Sequence, residues 1–222
     1  MGMNTRPSSD TLPAWLARAT LCGVLAVLLG TGALAALILS GATDPPVAGP
    51  VIWADEAFGW VAASQPWASA PVTLLTTSAT FTVTVRARLP ADADALAAWG
   101  VWLGEQDGAR VIYALNAARY WTIRRCPAGA LLTATIEDCP ALRPEWRWLF
   151  HPRLRPPGQA NTITLHREPD GTIRLRINGE RLGGAPVDVT ETWGVWVRAG
   201  DSLPLWERAE LRVNKKGGRL VG

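Results

Sequence analysis

Hydrophobic and polar positions alternate with a period of two along most of the chain beyond residue 80, and most cleanly in the stretch Asn161–Leu182. Ile163 and Leu165 alternate with Thr162, Thr164 and His166, and Ile173, Leu175 and Ile177 alternate with Thr172, Arg174 and Arg176. Each segment is therefore a strand with one apolar and one polar face. Pro169-Asp170-Gly171 turns the chain between them. Asn178-Gly179 then demands positive φ at both turn positions, which marks a tight hairpin into a third strand. The pattern predicts half-buried antiparallel sheets and thus an all-β, two-sheet β-sandwich.

The same grammar recurs elsewhere. Phe81, Val83 and Val85 alternate with Thr82, Thr84, Arg86 and Arg88, and Pro90 ends that strand. Further strands are expected at Trp99–Leu103, at Val111–Leu115 after Gln106-Asp107-Gly108, at Tyr120–Ile123, at Trp193–Val197 and at Glu207–Val213. The Pro-rich excursion from Cys126 to Pro157 has no regular period.

The first forty residues follow another rule. Ala19–Leu39 carries no charge over 21 residues, which as a helix is roughly 31 Å long and enough to cross a bilayer core. Ser40-Gly41-Ala42 offers small residues where a signal peptidase would cut. A signal peptide's apolar core is shorter, however, about 7 to 15 residues, so an uncleaved single transmembrane helix is the favoured reading. Arg6 and Arg18 precede this helix while Asp44, Asp55 and Glu56 follow it, placing the N-terminus in the cytoplasm and the C-terminal domain outside, in the periplasm or beyond the cell. Gly32, Ala36 and Ser40, with Ala26 and Gly30, form small-residue stripes against which a second helix can pack. The predicted organisation is a cytoplasmic segment 1–18, a membrane helix 19–40, a linker and Trp-rich lead-in 41–70, the sandwich 71–213 and a flexible tail 214–222.

Charge narrows the function. The net charge of +3 over 222 residues is small, and the arginines are scattered along strands as solvated outer faces, which leaves no nucleic-acid footprint. His151 and His166 have no Cys or carboxylate at metal-ligand spacing, and no G-x-S-x-G or Gly-rich phosphate loop is present, so no metal or cofactor is expected. Cys126 and Cys139 bracket Pro127–Asp138 in what should be an oxidising compartment, and a disulfide between them is expected.

The order of FTVTVRARL, WGVWL, YWTIR, the N-x-I-x-L and D-G-x-I-x-L-x-I-N-G hairpin, the second WGVW and the final ERAELRV resembles the concanavalin A-like lectin/glucanase superfamily, closest in flavour to laminin-G-like domains of bacterial surface proteins. The resemblance covers about Thr80–Val213 and implies a jelly-roll of two packed sheets, often with a sugar-binding concave face. It does not imply an activity, because the superfamily spans lectins, glycosidases, adhesion modules and spacers. Its glycosidases carry E-x-D-x-x-E on one strand, a motif missing here. Glu207 and Glu210, three apart, should point to opposite faces and serve as surface charges. Asp92 and Asp94 fall short of the six to eight oxygen ligands that calcium takes.

The twelve tryptophans carry the remaining suggestion. In both WGVW strands Trp102 and Trp196 share a parity opposite to the Val residues. If the Val faces are the core, these two rings stand on the outer face beside glycines, either stacking on sugars or covered by the Trp53–Trp67 segment or another subunit. Trp146 and Trp148 in the Pro/Arg-rich stretch are further exposed candidates. Together these readings describe a membrane-anchored extracytoplasmic module that binds carbohydrate or a surface; an accessory subunit of a membrane complex is the alternative, and glycoside hydrolysis comes third. The partners expected are membrane lipid, glycans and other subunits.

Overall fold

The structure, a computed structural model, describes residues 14–39, 49–61, 66–74, 80–128, 136–198 and 203–214. The chain divides into two compact units, Met1–Asp44 and Pro45–Gly222. Residues 1–13, Ser40 of the small-residue stripe, the start of the linker and the tail from Lys215 lie outside the described residues.

In the first unit, helix α1 spans Ala14–Leu39 and so starts five positions before the uncharged run. Arg18–Leu37 is apolar and long enough to cross a membrane by length and composition. Its hydroxyls are satisfied internally: Thr20 Oγ1 donates to the Leu16 carbonyl at 2.9 Å and Thr31 Oγ1 to that of Val27 at 2.8 Å. That is the arrangement a hydrocarbon environment requires of polar groups.

The second unit is a sandwich of two six-stranded antiparallel sheets. The strands are β1 Val51–Asp55, β2 Trp67–Ser69, β3 Thr80–Arg88, β4 Ala98–Glu105, β5 Arg110–Asn116, β6 Tyr120–Cys126, β7 Leu149–Phe150, β8 Ala160–Arg167, β9 Thr172–Ile177, β10 Glu180–Pro186, β11 Val189–Val197 and β12 Leu205–Asn214. The first sheet runs β1-β12-β3-β8-β9-β10 and the second β2-β11-β4-β5-β6-β7. This is the two-sheet architecture that the alternation predicts. The stretch expected as lead-in does more than lead in, because it supplies the edge strand of each sheet: β1 pairs with β12, and β2 pairs with β11.

The inward faces follow the predicted parity. Phe81, Val83 and Val85 from β3, Ile163 and Leu165 from β8, and Ile173, Leu175 and Ile177 from β9 are buried against Trp99, Val101 and Leu103 from β4 and Trp193, Val195 and Val197 from β11. Burying each of these large apolar chains contributes about 1.5–3 kcal/mol relative to leaving it exposed. The hairpin turn takes the expected geometry, with Asn178 at φ 53° and Gly179 at φ 87°. Asn178 also ties the turn to the body: its Oδ1 accepts from the Thr162 amide at 2.9 Å and its Nδ2 donates to Arg153 O at 2.9 Å.

Aromatic side chains close the sandwich near β1 and β12. Trp53 meets Trp193 edge-on at 5.7 Å, Phe58 stacks on Trp60 at 5.6 Å and on Trp206 at 5.3 Å, and Trp206 meets Trp99 at 5.6 Å. Such pairs add roughly 0.5–1.5 kcal/mol each beyond area burial.

Candidate binding surface

The outer face of the second sheet carries the rings that the sequence marks as candidates. Trp102 lies opposite Gly194, and Trp196 opposite Gly100, in the β4–β11 register. Glycine is required under Trp102: a Cβ at Gly194 would stand 1.9 Å from the Ala68 carbonyl oxygen and 2.8 Å from the Trp102 ring. The indole therefore lies flat on backbone. Trp102 Nε1 donates to the Val195 and Ala68 carbonyls at 3.1 and 3.3 Å.

The parity expected of Trp102 and Trp196 holds, but the open face does not. Trp102 is 1% exposed and Trp196 4%. They belong to a second buried cluster with Ala98, Ile112, Ala114, Ile136, Cys126 and Cys139, against which Trp67 and Trp148 pack. Trp67 sits 6.4 Å from both rings, and the Arg110 guanidinium lies 4.2 Å over Trp102 and 5.0 Å over Trp67. The cover comes from Trp67, in the Trp53–Trp67 segment expected to lie here, and from the excursion after β6. Cys126 and Cys139 form a disulfide, which holds Ile136 and Cys139 down on the sheet. A face covered in this way has no platform for a sugar ring.

Trp146 is also displaced from its expected role, being 7% exposed. It enters the main core beside Trp121, with ring centroids 6.2 Å apart, and lies against β10 at Gly183. The Trp146 carbonyl accepts from Thr122 Oγ1 at 2.6 Å. Trp148 is half-buried against the outer cluster.

The exposed aromatics lie elsewhere. Tyr120 on β6 and Phe150 on β7 pair across the edge of the second sheet, 5.8 Å apart and nearly perpendicular, and are 38% and 54% exposed. Leu149 beside them is 37% exposed. Arg119 holds this patch from below: its guanidinium is 5.3 Å over the Phe150 ring, with Nε donating to the Leu154 carbonyl at 2.7 Å and Nη2 to that of Pro152. Its backbone sits at φ 68°, a left-handed conformation uncommon for a non-glycine residue. Asn116 Oδ1 accepting from the Tyr120 amide at 2.9 Å, and the Arg119 carbonyl accepting from the His151 amide at 3.0 Å, hold it there. No periodicity marks a two-residue strand, so sequence reasoning missed this patch.

The first sheet presents a polar outer face. Thr82 Oγ1 meets His166 Nδ1 at 2.9 Å, Arg174 pairs with Glu168, and Arg86 pairs with Glu207 at 2.6 Å. A bulge between Trp206 and Arg208 alters the parity expected of Glu207. Its carboxylate reaches Arg86 and Arg88 on the same outer face where Glu210 meets Arg208 and Arg212. Both glutamates are thus on one face, each held between two arginines, and neither is placed as a free acid. Among the described residues no group of three His, Cys, Asp or Glu is arranged to hold a metal.

One basic residue departs from the solvated-face expectation. Arg124 on β6 is 6% exposed. Burial lowers its guanidinium from the usual arginine range, with Glu137 opposing and Arg147 adding to that shift. Arg110 is lowered by burial too.

No family model and no characterised protein matches the sequence. Solved structures resemble it in fold. Sheep galectin-11 in complex with glycerol is 12% identical with a TM-score of 0.43, covering 68% of this chain and 98% of that one. Galectin LEC-6 of Caenorhabditis elegans is 15% identical at 0.39, covering 66% and 91%. The potassium-bound carbohydrate recognition domain of Emp46p is 12% identical at 0.47, covering 66% and 76%. At such values the likeness bears on the fold alone. The chain is an antiparallel β-sandwich protein with an N-terminal apolar helix.

Proposed function

We propose that this chain is a membrane-anchored binding module whose sandwich lies outside the cytoplasm and takes a carbohydrate ligand at the Arg119–Tyr120–Phe150 patch. The observation that carries the reading is the exposed Tyr120–Phe150 pair, held by an arginine in a left-handed backbone conformation at the edge of a cross-linked sheet. Exposed aromatic faces are apolar surfaces that stack on the C–H faces of sugar rings, and backbone strain concentrates at binding sites. The apolar Arg18–Leu37 span and the Cys126–Cys139 bridge both suit a chain that is anchored in a membrane and folded in an oxidising compartment. Arg6 and Arg18, at the N-terminal side of the uncharged Ala19–Leu39 run, with Asp44, Asp55 and Glu56 beyond it, support an inward N-terminus.

Titration of the full chain in mild detergent with neutral and acidic oligosaccharides, followed by calorimetry, tests the proposal. Saturable binding to at least one of them is expected, weakened about tenfold or more in a Tyr120→Ala/Phe150→Ala double variant, which corresponds to about 1.4 kcal/mol. Binding that the double variant leaves unchanged, or no binding at all, overturns it.

A second reading, an accessory subunit of a membrane complex, rests on the helix. A Cβ built at Gly30 or Gly32 meets nothing within 4 Å, so with Ala26 and Ala36 they leave a shallow face for another membrane helix. A stoichiometric complex that Gly30→Leu/Gly32→Leu dissolves supports this reading; a monomer in mild detergent sinks it.

A further inference from the structure

Arg124 stands on the same side of β6 as Tyr120, four residues and roughly 13 Å further along the strand. Its Nε donates to Thr122 Oγ1 at 3.2 Å, and its Nη1 to the carbonyls of Glu137 and Cys139 at 3.1 and 2.9 Å. All three acceptors are neutral. A guanidinium this buried whose hydrogen bonds all go to neutral acceptors is costly, and the carbonyl dipoles and the nearby Glu137 charge compensate only part of it. A pocket of about 520 Å³ opens beside it, lined by Arg124, Arg147, Glu137, Asp138, Pro140 and Pro144 among others. Glu137 Oε1 is taken up by Arg198 at 2.9 Å. Arg147 is exposed and makes no ion pair among the described residues. The Cys126–Cys139 bridge fixes the floor, because Cys139 both lines the pocket and supplies a carbonyl to Arg124.

We propose that Arg124 and Arg147 form a binding site for an oxyanion, the carboxylate or sulfate group of an acidic glycan. Arg124 has its Nε and Nη1 donors engaged and offers its two Nη2 donors to the anion. The Arg147 guanidinium fork matches either group bidentately, and the pre-ordered, partly desolvated Arg124 strengthens the pairing. That the oxyanion belongs to a glycan rests on the function proposed above; the oxyanion site itself does not. Arg147 supplies the second charge from the solvent side, and Pro140, Ala141 and Pro144 form an uncharged part of the wall, which also carries the carboxylates of Glu137 and Asp138.

The test uses the full chain in mild detergent. Sodium sulfate is titrated against sodium chloride at matched ionic strength, followed by the intrinsic tryptophan fluorescence, to which Trp146 and Trp148, flanking Arg147 in sequence, contribute. The same protein is then titrated with polygalacturonate and with a neutral β-glucan. Saturable sulfate binding is expected, about tenfold weaker in Arg147→Gln, a substitution that removes no hydrogen bond or ion pair among the described residues. Polygalacturonate should weaken in parallel while β-glucan does not. Arg124→Lys keeps the charge but loses the Nη2 donors, and should also weaken sulfate. Absence of saturable sulfate binding in the wild type, or equal binding in Arg147→Gln, overturns the proposal. Sulfate binding without binding of either glycan sustains the pocket and overturns the carbohydrate reading. Glycan binding that depends on Tyr120 and Phe150 without sulfate binding does the reverse.

Discussion

The outer faces of the two sheets begin from strands of similar length and end in opposite environments. On the first sheet, β9 alternates strictly between half-buried and buried positions, and its outer residues Thr172, Arg174 and Arg176 stay at the surface. On the second, seven consecutive residues of β4, Ala98–Gly104, are buried, because the excursion after β6 and the Trp67 side chain from edge strand β2 cover the outer side. A strand buried on both faces reads as a continuous apolar run, one buried on a single face as alternation. The open sheet is held on its outside by Thr contacts and by glutamates shared between arginines, pairs worth about 0–1 kcal/mol each when exposed. The roofed sheet is held by tryptophan, a disulfide and a cation over an indole. The difference teaches that this domain has one principal core and a smaller second one, and that the second comes from residues without any strand pattern.

The largest effect should follow from emptying that second core. Trp102→Ala removes a fully buried indole and its two hydrogen bonds to Val195 and Ala68, at an expected cost of about 3–5 kcal/mol. For a domain whose total stability is of order 5–15 kcal/mol, that is a large fraction. The matched change on the open face, Thr84→Ala, should cost about 1 kcal/mol or less. Urea denaturation of both variants measures the contrast. Equal losses would mean that the outer cluster contributes no more than a solvated face.

Opening the roof should have the next largest effect. The Cys126–Cys139 bridge closes a loop at a sequence separation of 13, and its loss should destabilise by roughly 3 kcal/mol. Alkylation without reductant should label Cys22 alone, the free cysteine, and with reductant all three cysteines of the chain. Reduction should also raise acrylamide quenching of the tryptophans, because Trp102 and Trp196 lie beneath Cys126, Ile136 and Cys139. Quenching that does not respond to reductant would show that the cover stands without its cross-link.

This contrast also explains which parts of the molecule can be read from sequence. The β8–β9–β10 meander was legible because period two, a turn with Asn-Gly and β-branched residues all agree. The shared parity of Trp102 and Trp196 was legible for the same reason. What lies over them was not, because burial of an outer face depends on Ile136 and Cys139, which no local period places. β1 and β2 escaped because five and three residues are too short for alternation to stand out among prolines and glycines. The bulge at Glu207 inserts one residue and so overrides a parity argument that is otherwise sound. Arg124 reads as one more solvated arginine on an alternating strand, and only its roof makes it a buried charge. The Tyr120–Phe150 patch joins residues thirty apart through a two-residue strand, with no signal in either segment alone.

The smallest effect belongs to the open face and turns on pH. His166 is half-buried there, with Thr82 on Nδ1. Burial lowers its pKa from the ordinary histidine value of 6.5; Glu168 opposes, Arg176 and Arg174 add to the lowering, and the backbone at Phe81 opposes again. The folded state therefore binds a proton less readily than the unfolded chain, whose histidine titrates near the ordinary value. Between those two pKa values the unfolded state carries more protons, so stability rises with pH across the window. The contribution is fully present above the unfolded value and is lost as pH falls through the folded one. In His166→Gln this dependence should vanish, so the stability gap between wild type and variant should shrink when urea melts at pH 7.5 are repeated at pH 5, values bracketing the unfolded histidine pKa of about 6.5. Parallel pH profiles for the two proteins would show that the imidazole is as well solvated in the fold as out of it. The open face would then be looser than its hydrogen bond to Thr82 implies.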